Sequence, residues 1–213
     1  MRLVAVSAGL STPSSTRLLA DRLATSVGGE SNAAGRVVET EVIELRELAV
    51  AVANHLVTGF PSTQLATAID AVTGADGLIV VTPVFTASYS GLFKSFFDLI
   101  DPDALTGKPV LIAATGGTSR HSLVLEHALR PLFAYLRADV VPTAVYAASE
   151  DWGSGGDEYT EGLPARIRRA GRELAALMAA RPESPAARDE GADGEVDDEV
   201  DALERQLSDL RFD

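Results

Sequence analysis

The chain has 213 residues, 46% hydrophobic and 23% charged, which suits one globular domain with an appendage and excludes wholesale disorder. Zero cysteine excludes disulfides, thiol nucleophiles, thiolate metal sites and cysteine-ligated iron–sulfur clusters. A net charge of −13 argues against a nucleic-acid or anionic-membrane surface, and no apolar run reaches the ~20 residues that cross a bilayer. The N-terminus enters a strand-like run at once, leaving no room for a signal peptide, so a cytoplasmic protein is expected.

Strand-like and helix-like segments alternate along the first 180 residues. LVAVSAG (3–9) is a short apolar run ending in Gly, followed by a polar turn and the helical pattern Leu18, Leu19, Leu23. VVETEVIEL (37–45) alternates partly and reads as a strand nearer a sheet edge. A helix is expected over 62–73, a buried strand at GLIVVTP (77–83) and a helix over 91–100. A second buried strand follows at KPVLIAAT (108–115), then a helix from about 121 to 137. DVVPTAVYA (139–147) is a fifth strand, interrupted or at an edge because of Pro142. A last helix is expected at about 160–180. Five strands alternating with five helices mean a parallel sheet covered on both faces.

Composition changes sharply after Ala180: residues 181–213 carry four Arg against twelve acids, a net of −8, leaving −5 for the rest. RPESPAARDEGADGE (181–195) has almost no large apolar side chain and reads as an acidic flexible linker. Beyond it, Val196, Val200, Leu203, Leu207 and Leu210 form one stripe of a short amphipathic helix over 196–213. The expected organisation is a domain at 1–180, then linker, then helix.

Open parallel sheets bind ligands beyond the carboxyl ends of their strands, so the loops there are the candidates. Gly9-Leu10-Ser11-Thr12-Pro13-Ser14-Ser15-Thr16 brings hydroxyls to a helix N-terminus, where free N–H groups and the helix dipole favour a phosphate. It has neither the P-loop ending nor the G-x-G-x-x-G fingerprint, and a Ser/Thr-rich N-cap would look the same. Thr82 to Lys94 is apolar and aromatic yet rich in hydroxyls, as a flat amphipathic ligand would need. Ala114-Thr115-Gly116-Gly117-Thr118-Ser119-Arg120-His121 offers close backbone approach and an anion-binding nest.

The stretches SAGLSTPSSTRLLADRL, VTPVFTASYSGLFKSFFDLID, ATGGTSRHSLVLEHALRPLFAYLRA and VYAASEDWG resemble the NADPH-dependent FMN reductase family. More narrowly, they resemble the actinobacterial group paired with luciferase-like monooxygenases. The resemblance spans roughly residues 1–178. It implies a flavodoxin-like, three-layer α/β/α fold with a doubly wound five-stranded parallel sheet in the order 2-1-3-4-5. It also implies FMN with its phosphate on Ser11, Ser14, Ser15 and Thr16. The isoalloxazine edge is then expected against Pro83, Val84, Phe85, Thr86, Ala87 and Ser88, and its pyrimidine end at Thr115, Gly116, Gly117 and Thr118. Related reductases often carry a basic residue where this chain has Ser15; Arg17, one turn into the helix, is expected on a solvated face.

The expected activity is hydride transfer from NADPH or NADH to FMN, with reduced flavin supplied to a monooxygenase. The cofactor carries the chemistry, so no catalytic acid–base pair and no metal are expected. Backbone N–H groups of Gly116 and Gly117 suit the growing charge at the flavin N1–C2=O edge, with Arg120 or His121 as charged helpers. The competing readings are a quinone or azo-compound reductase that keeps its FMN, and a flavodoxin-type electron carrier. Val84, Phe85, Tyr89, Leu92, Phe93 and Trp152 are expected to form an apolar patch covered by a second subunit, in a homodimer or homotetramer.

Overall fold

The computed structural model describes residues 1–153 and 162–181. The acidic linker and C-terminal helix expected beyond Arg181 lie outside the described residues.

Strand β1 (Arg2–Ser7) leads into helix α1 (Ser15–Ala33), and edge strand β2 (Glu39–Glu44) runs straight into helix α2 (Leu45–Thr58). Helix α3 (Thr63–Gly74) precedes the central strand β3 (Gly77–Phe85), which turns into the two-residue β4 (Ser88–Tyr89) and helix α4 (Gly91–Phe97). Strand β5 (Pro109–Gly116) is followed by helix α5 (Arg130–Tyr135), the short strands β6 (Asp139–Val140) and β7 (Val145–Ala148), and helix α6 (Leu163–Ala180).

The parallel order is β2-β1-β3-β5, with β6 and β7 both pairing with β5. Those last two are one edge strand broken around Pro142, so the sheet has the expected order and the expected interruption. The antiparallel β4 is an addition: Val84 pairs with Tyr89 and Phe85 with Ser88. Its turn puts both Thr86 (φ 49°) and Ala87 (φ 65°) in the left-handed region. A two-residue hairpin needs such angles to match strand twist, but a β-branched residue adopts them only under strain.

Alternation along the central strands separates two cores. Val4, Val6, Leu78, Val80, Val110 and Ile112 face α2, α3, α4 and α5, while Leu3, Ala5, Ile79, Val81, Leu111 and Ala113 face α1 and α6. Because both faces are covered, these strands read as continuous apolar runs. The first core centres on an aromatic cluster in which Phe93 and Phe97 lie 4.7 Å apart and Phe133 meets Phe97 edge-on at 5.0 Å.

Two further elements differ from expectation. Helix α2 was not foreseen, and the segment expected as one helix from 121 to 137 is composite. It has a 3₁₀ turn at Ser119–His121 and a π-helical turn at Leu125–Leu129 before α5. Pro131 supplies a reason: it has no N–H for the carbonyl four residues back and its ring clashes there, which the wider π turn relieves.

Candidate flavin site

The carboxyl ends of β1, β3 and β5 are adjacent, with Ser7 beside Val81 and Pro83 beside Thr115. Their loops, joined by the residue after β7, enclose a cleft of about 340 Å³ lined by Leu10, Ser11, Ser15, Thr16, Pro83, Val84, Phe85, Thr115, Gly116, Gly117 and Ser149.

The loop after β1 is folded tightly on itself. A Cβ on Gly9 would lie 2.0 Å from Ser14 Oγ, so only glycine permits this approach. Ser14 caps α1, its Oγ accepting from Arg17 N–H at 3.2 Å, and its own O–H stays free to donate. Thr16 is buried and its hydroxyl hydrogen-bonds Thr115 Oγ1 at 2.8 Å, tying this loop to the end of β5. Ser11 and Ser15 are exposed and line the cleft. The N–H groups of Ser15 and Thr16, at the first two positions of α1, have no carbonyl to bond within the helix. The four hydroxyls singled out in the sequence thus divide into two that face the cleft, one cap and one internal tie.

Arg17 does not lie on a freely solvated face. Its Nε donates to Asp21 at 2.9 Å and its Nη1 to Glu44 at 2.6 Å. Asp21 first, then Glu44, hold its guanidinium more firmly protonated than usual, against the opposing effect of burial. Arg46 reaches the same loop from α2, its Nη1 donating to Thr12 Oγ1 and its Nε lying 3.1 Å from Glu44 Oε2.

In the second loop, Ser90 N–H donates to the buried Thr82 hydroxyl at 3.0 Å, and Ser90 in turn caps α4. This anchors both ends of the strained turn, from which Phe85 projects 47% exposed at the cleft. Pro83 and Val84 line the cleft with it, whereas Thr86, Ala87 and Ser88 belong to the turn and the return strand outside its lining.

The two glycines of the third loop have different reasons to be glycine. A Cβ on Gly116 would lie 2.0 Å from the Tyr146 hydroxyl, whereas one on Gly117 meets nothing within 4 Å. Tyr146 underlies the loop, donating to Thr118 C=O at 2.8 Å. Burial first, then Glu150 and Asp151, push its phenol pKa up, keeping it a neutral donor. Glu150 Oε1 accepts from Ser119 N–H at 3.3 Å, and its own backbone N–H, together with Ser119, holds its carboxyl below the usual range. Asp151 accepts from Ala148 N–H at 2.7 Å and pairs with Arg166. Thr118 lies outside the cleft lining, and Arg120 and His121 are exposed on the 3₁₀ turn. Sequence reasoning missed Leu10 and Ser149 in the lining and Tyr146 beneath it, although Ser149 follows the fifth strand in the expected place.

The expected apolar patch is largely absent. Phe93 is fully buried in the aromatic cluster, and Val84, Tyr89 and Leu92 pack partly against the same core. Trp152 packs against the opposite core with the Arg22 guanidinium 5.2 Å from its ring. Of that set, Phe85 alone is exposed.

Residues 1–153 match the NADPH-dependent FMN reductase family. The chain belongs to that family. A relative from Pseudomonas aeruginosa named FMN reductase (NADPH) is 41% identical over 185 residues, covering 85% of this chain and 95% of the relative. The NADH-dependent FMN reductase SfnF of Pseudomonas fluorescens is 39% identical over 181 residues, covering 84% and 92%. Among solved structures, an oxidoreductase from Corynebacterium diphtheriae is similar with a TM-score of 0.80 and 49% identity over 85% of this chain and 98% of that one. An archaeal flavodoxin, 15% identical with a TM-score of 0.55, covers 84% of this chain and 99% of its own, and shares the fold alone. The flavodoxin-like fold read from the sequence is the observed one. No helix among the described residues is long and apolar enough to cross a membrane, and none of their acidic or His side chains group as a metal site.

The cleft fits a flavin chemically, with exposed hydroxyls and helix-start N–H groups at one end, an exposed aromatic in the middle, and an open glycine backbone at the other. A bound flavin supplies the redox chemistry. The chain's own groups would bind and orient it: Ser11 and Ser15 would offer donors to an anion, Phe85 an apolar face, and Gly117, beyond the end of the β5–β7 pairing, its backbone N–H.

Proposed function

We propose that this FMN reductase, an NAD(P)H:FMN oxidoreductase, binds FMN in the cleft after β1, β3 and β5 and releases it reduced to a luciferase-like monooxygenase. Its phosphate lies against Ser11 and Ser15 and the first N–H groups of α1, with Ser14 donating its free O–H. Its ring system lies between the Pro83–Phe85 segment and Gly116–Gly117. The observation that supports this reading is one cleft lined together by the exposed hydroxyls of the first loop, the Pro83–Phe85 segment and the Gly116–Gly117 backbone. Family membership and the names of the relatives from Pseudomonas support the activity itself.

NAD(P)H oxidation by the purified chain, measured against varied free FMN and against quinones, tests the substrate assignment. Saturation by FMN, with rate following added flavin, is expected. Tightly held flavin, with rate set by added quinone, would replace this reading with the quinone reductase. Failure to oxidise NAD(P)H at all would leave an electron carrier.

Monooxygenase supply is tested by coupled turnover across a dialysis membrane, and the test fails the reading if direct contact is required. A homodimer or homotetramer belongs to this proposal, now on different side chains. Val50, Val57 and Phe60, 74%, 86% and 81% exposed, lie on α2 and just beyond it. Sedimentation showing an active monomer would remove it.

A further inference from the structure

We infer that Arg46 is the cation of the flavin phosphate site and that Glu44 is the residue that aims it. The inference rests on the loop after β1 receiving the FMN phosphate. A phosphate monoester carries between one and two negative charges near neutral pH, its second pKa being about 6. Yet the loop from Gly9 to Thr16 contains no basic side chain. Hydroxyls and N–H groups alone would face a charge that strongly favours an ionised donor.

Two guanidinium groups border the loop, and their hydrogen bonds separate them. Arg17 directs Nε to Asp21 and Nη1 to Glu44, neither of them a loop residue. Arg46 directs Nη1 to the hydroxyl of Thr12, on the loop itself. Its Nε lies 3.1 Å from Glu44 Oε2, and its side chain is 29% exposed. The arrangement follows from the topology. Glu44 ends β2 directly beside Ser7, which ends β1 and opens the loop, and Arg46 is the second residue of α2. One carboxylate, 17% exposed, therefore holds Arg17 with one oxygen and Arg46 with the other. Glu47 also approaches Arg46, at 3.9 Å, but is 61% exposed and so weakly coupled. The planar guanidinium has five N–H donors in a fork that matches phosphate oxygens. With Glu44 on one side and Thr12 on the other, Arg46 is oriented toward an anion in the loop before one arrives.

The test compares FMN with riboflavin, which lacks the phosphate. Dissociation constants of both for the purified full chain are read by flavin fluorescence quenching. Arg46→Gln is expected to raise the FMN constant about tenfold or more and to leave riboflavin's unchanged. Arg46→Lys, which keeps the charge but loses the fork, falls between Arg46→Gln and wild type and serves alone if Arg46→Gln does not fold. Glu44→Gln lowers FMN selectivity less than Arg46→Gln does. Steady-state KM for FMN rises in Arg46→Gln while kcat is retained. Equal weakening of both flavins would make Arg46 a structural brace of the loop and overturn the inference, as would unchanged selectivity. Ser11→Ala/Ser15→Ala separates the two levels. If it also leaves FMN-over-riboflavin selectivity intact, the loop is not the phosphate site. If it lowers selectivity while the Arg46 variants do not, the loop reading stands and the inference about Arg46 falls.

Discussion

Replacing Gly116 with Ala should damage the fold and the flavin site together, whereas the same change at Gly117 should do neither. The Gly116 methyl would lie 2.0 Å from the Tyr146 hydroxyl and 3.0 Å from Cζ, so one of them must move. Tyr146 has little freedom to do so, being 4% exposed on β7 with its hydroxyl bonded to Thr118 C=O. Overpacking of a fixed core typically costs about 1–3 kcal/mol. Losing the Tyr146–Thr118 hydrogen bond adds roughly 1 kcal/mol. The sum, on the order of 2–4 kcal/mol, lowers the Tm by roughly 5–15 °C for a domain of this size. Thr118 moves with it, so the KM for FMN rises as well. Gly117→Ala places its methyl in open space and should shift Tm by less than about 2 °C. Adding Tyr146→Phe to Gly116→Ala removes the closest atom and should recover part of the lost Tm. Differential scanning calorimetry of the four proteins, with FMN titrations, decides the matter. Equal effects of Ala at 116 and 117 would refute the packing argument.

Thr16→Val removes one partner of the buried Thr16–Thr115 pair and should cost about 1–3 kcal/mol in urea unfolding; Thr16→Val/Thr115→Val should cost less than the sum of the two single changes. Ser14→Ala should cost about 1 kcal/mol through loss of the α1 cap, read from the same unfolding curves. Lys108, buried with its ammonium bonded to the carbonyls of Thr73 and Ala75, has its pKa pushed down to about 8 by burial first and then by Arg181. Between that value and the unfolded value of 10.5 the unfolded chain binds more protons, so stability relative to Lys108→Met rises with pH across this window, by at most on the order of 3 kcal/mol, and is flat below it. We also propose that the reductase domain ends near Arg181: a chain cut after Pro182 should oxidise NAD(P)H at a similar rate, and loss of activity in a folded protein would place the tail in the active site.

The fold was legible because its buried strands are continuous apolar runs punctuated by polar loops, and Pro142 marked the broken edge strand in advance. Helix α2 was not, for a local reason. Strand β2 ends at Glu44 and the helix starts at Leu45, with no Gly, Pro, Ser, Thr, Asn or Asp between and no side-chain cap. Periodicity gave little help, since Val50, Leu56 and Val57 make its outer side apolar too. The location of the cleft lining followed from strand ends, which topology dictates. The distribution of hydroxyl roles did not, because it depends on partners remote in sequence. Thr16 is committed to Thr115, 99 residues away, and nothing in S-S-T distinguishes it from Ser15.

That distribution bears on how the cleft works. A loop whose hydroxyls all waited for phosphate would have to be ordered by the ligand, at a cost in binding free energy. Here Ser14 closes the helix start and Thr16 fastens the loop to β5, so the loop's shape is fixed by contacts within the protein. Tyr146 and Glu150 do the same beneath the third loop, through Thr118 C=O and Ser119 N–H. The side chains left facing the cleft, Ser11, Ser15 and Phe85, are individually modest and suit a ligand that must leave as well as enter. Substitutions in the supporting set should therefore lower stability and flavin binding together, while substitutions in the facing set should alter flavin binding with little change in Tm.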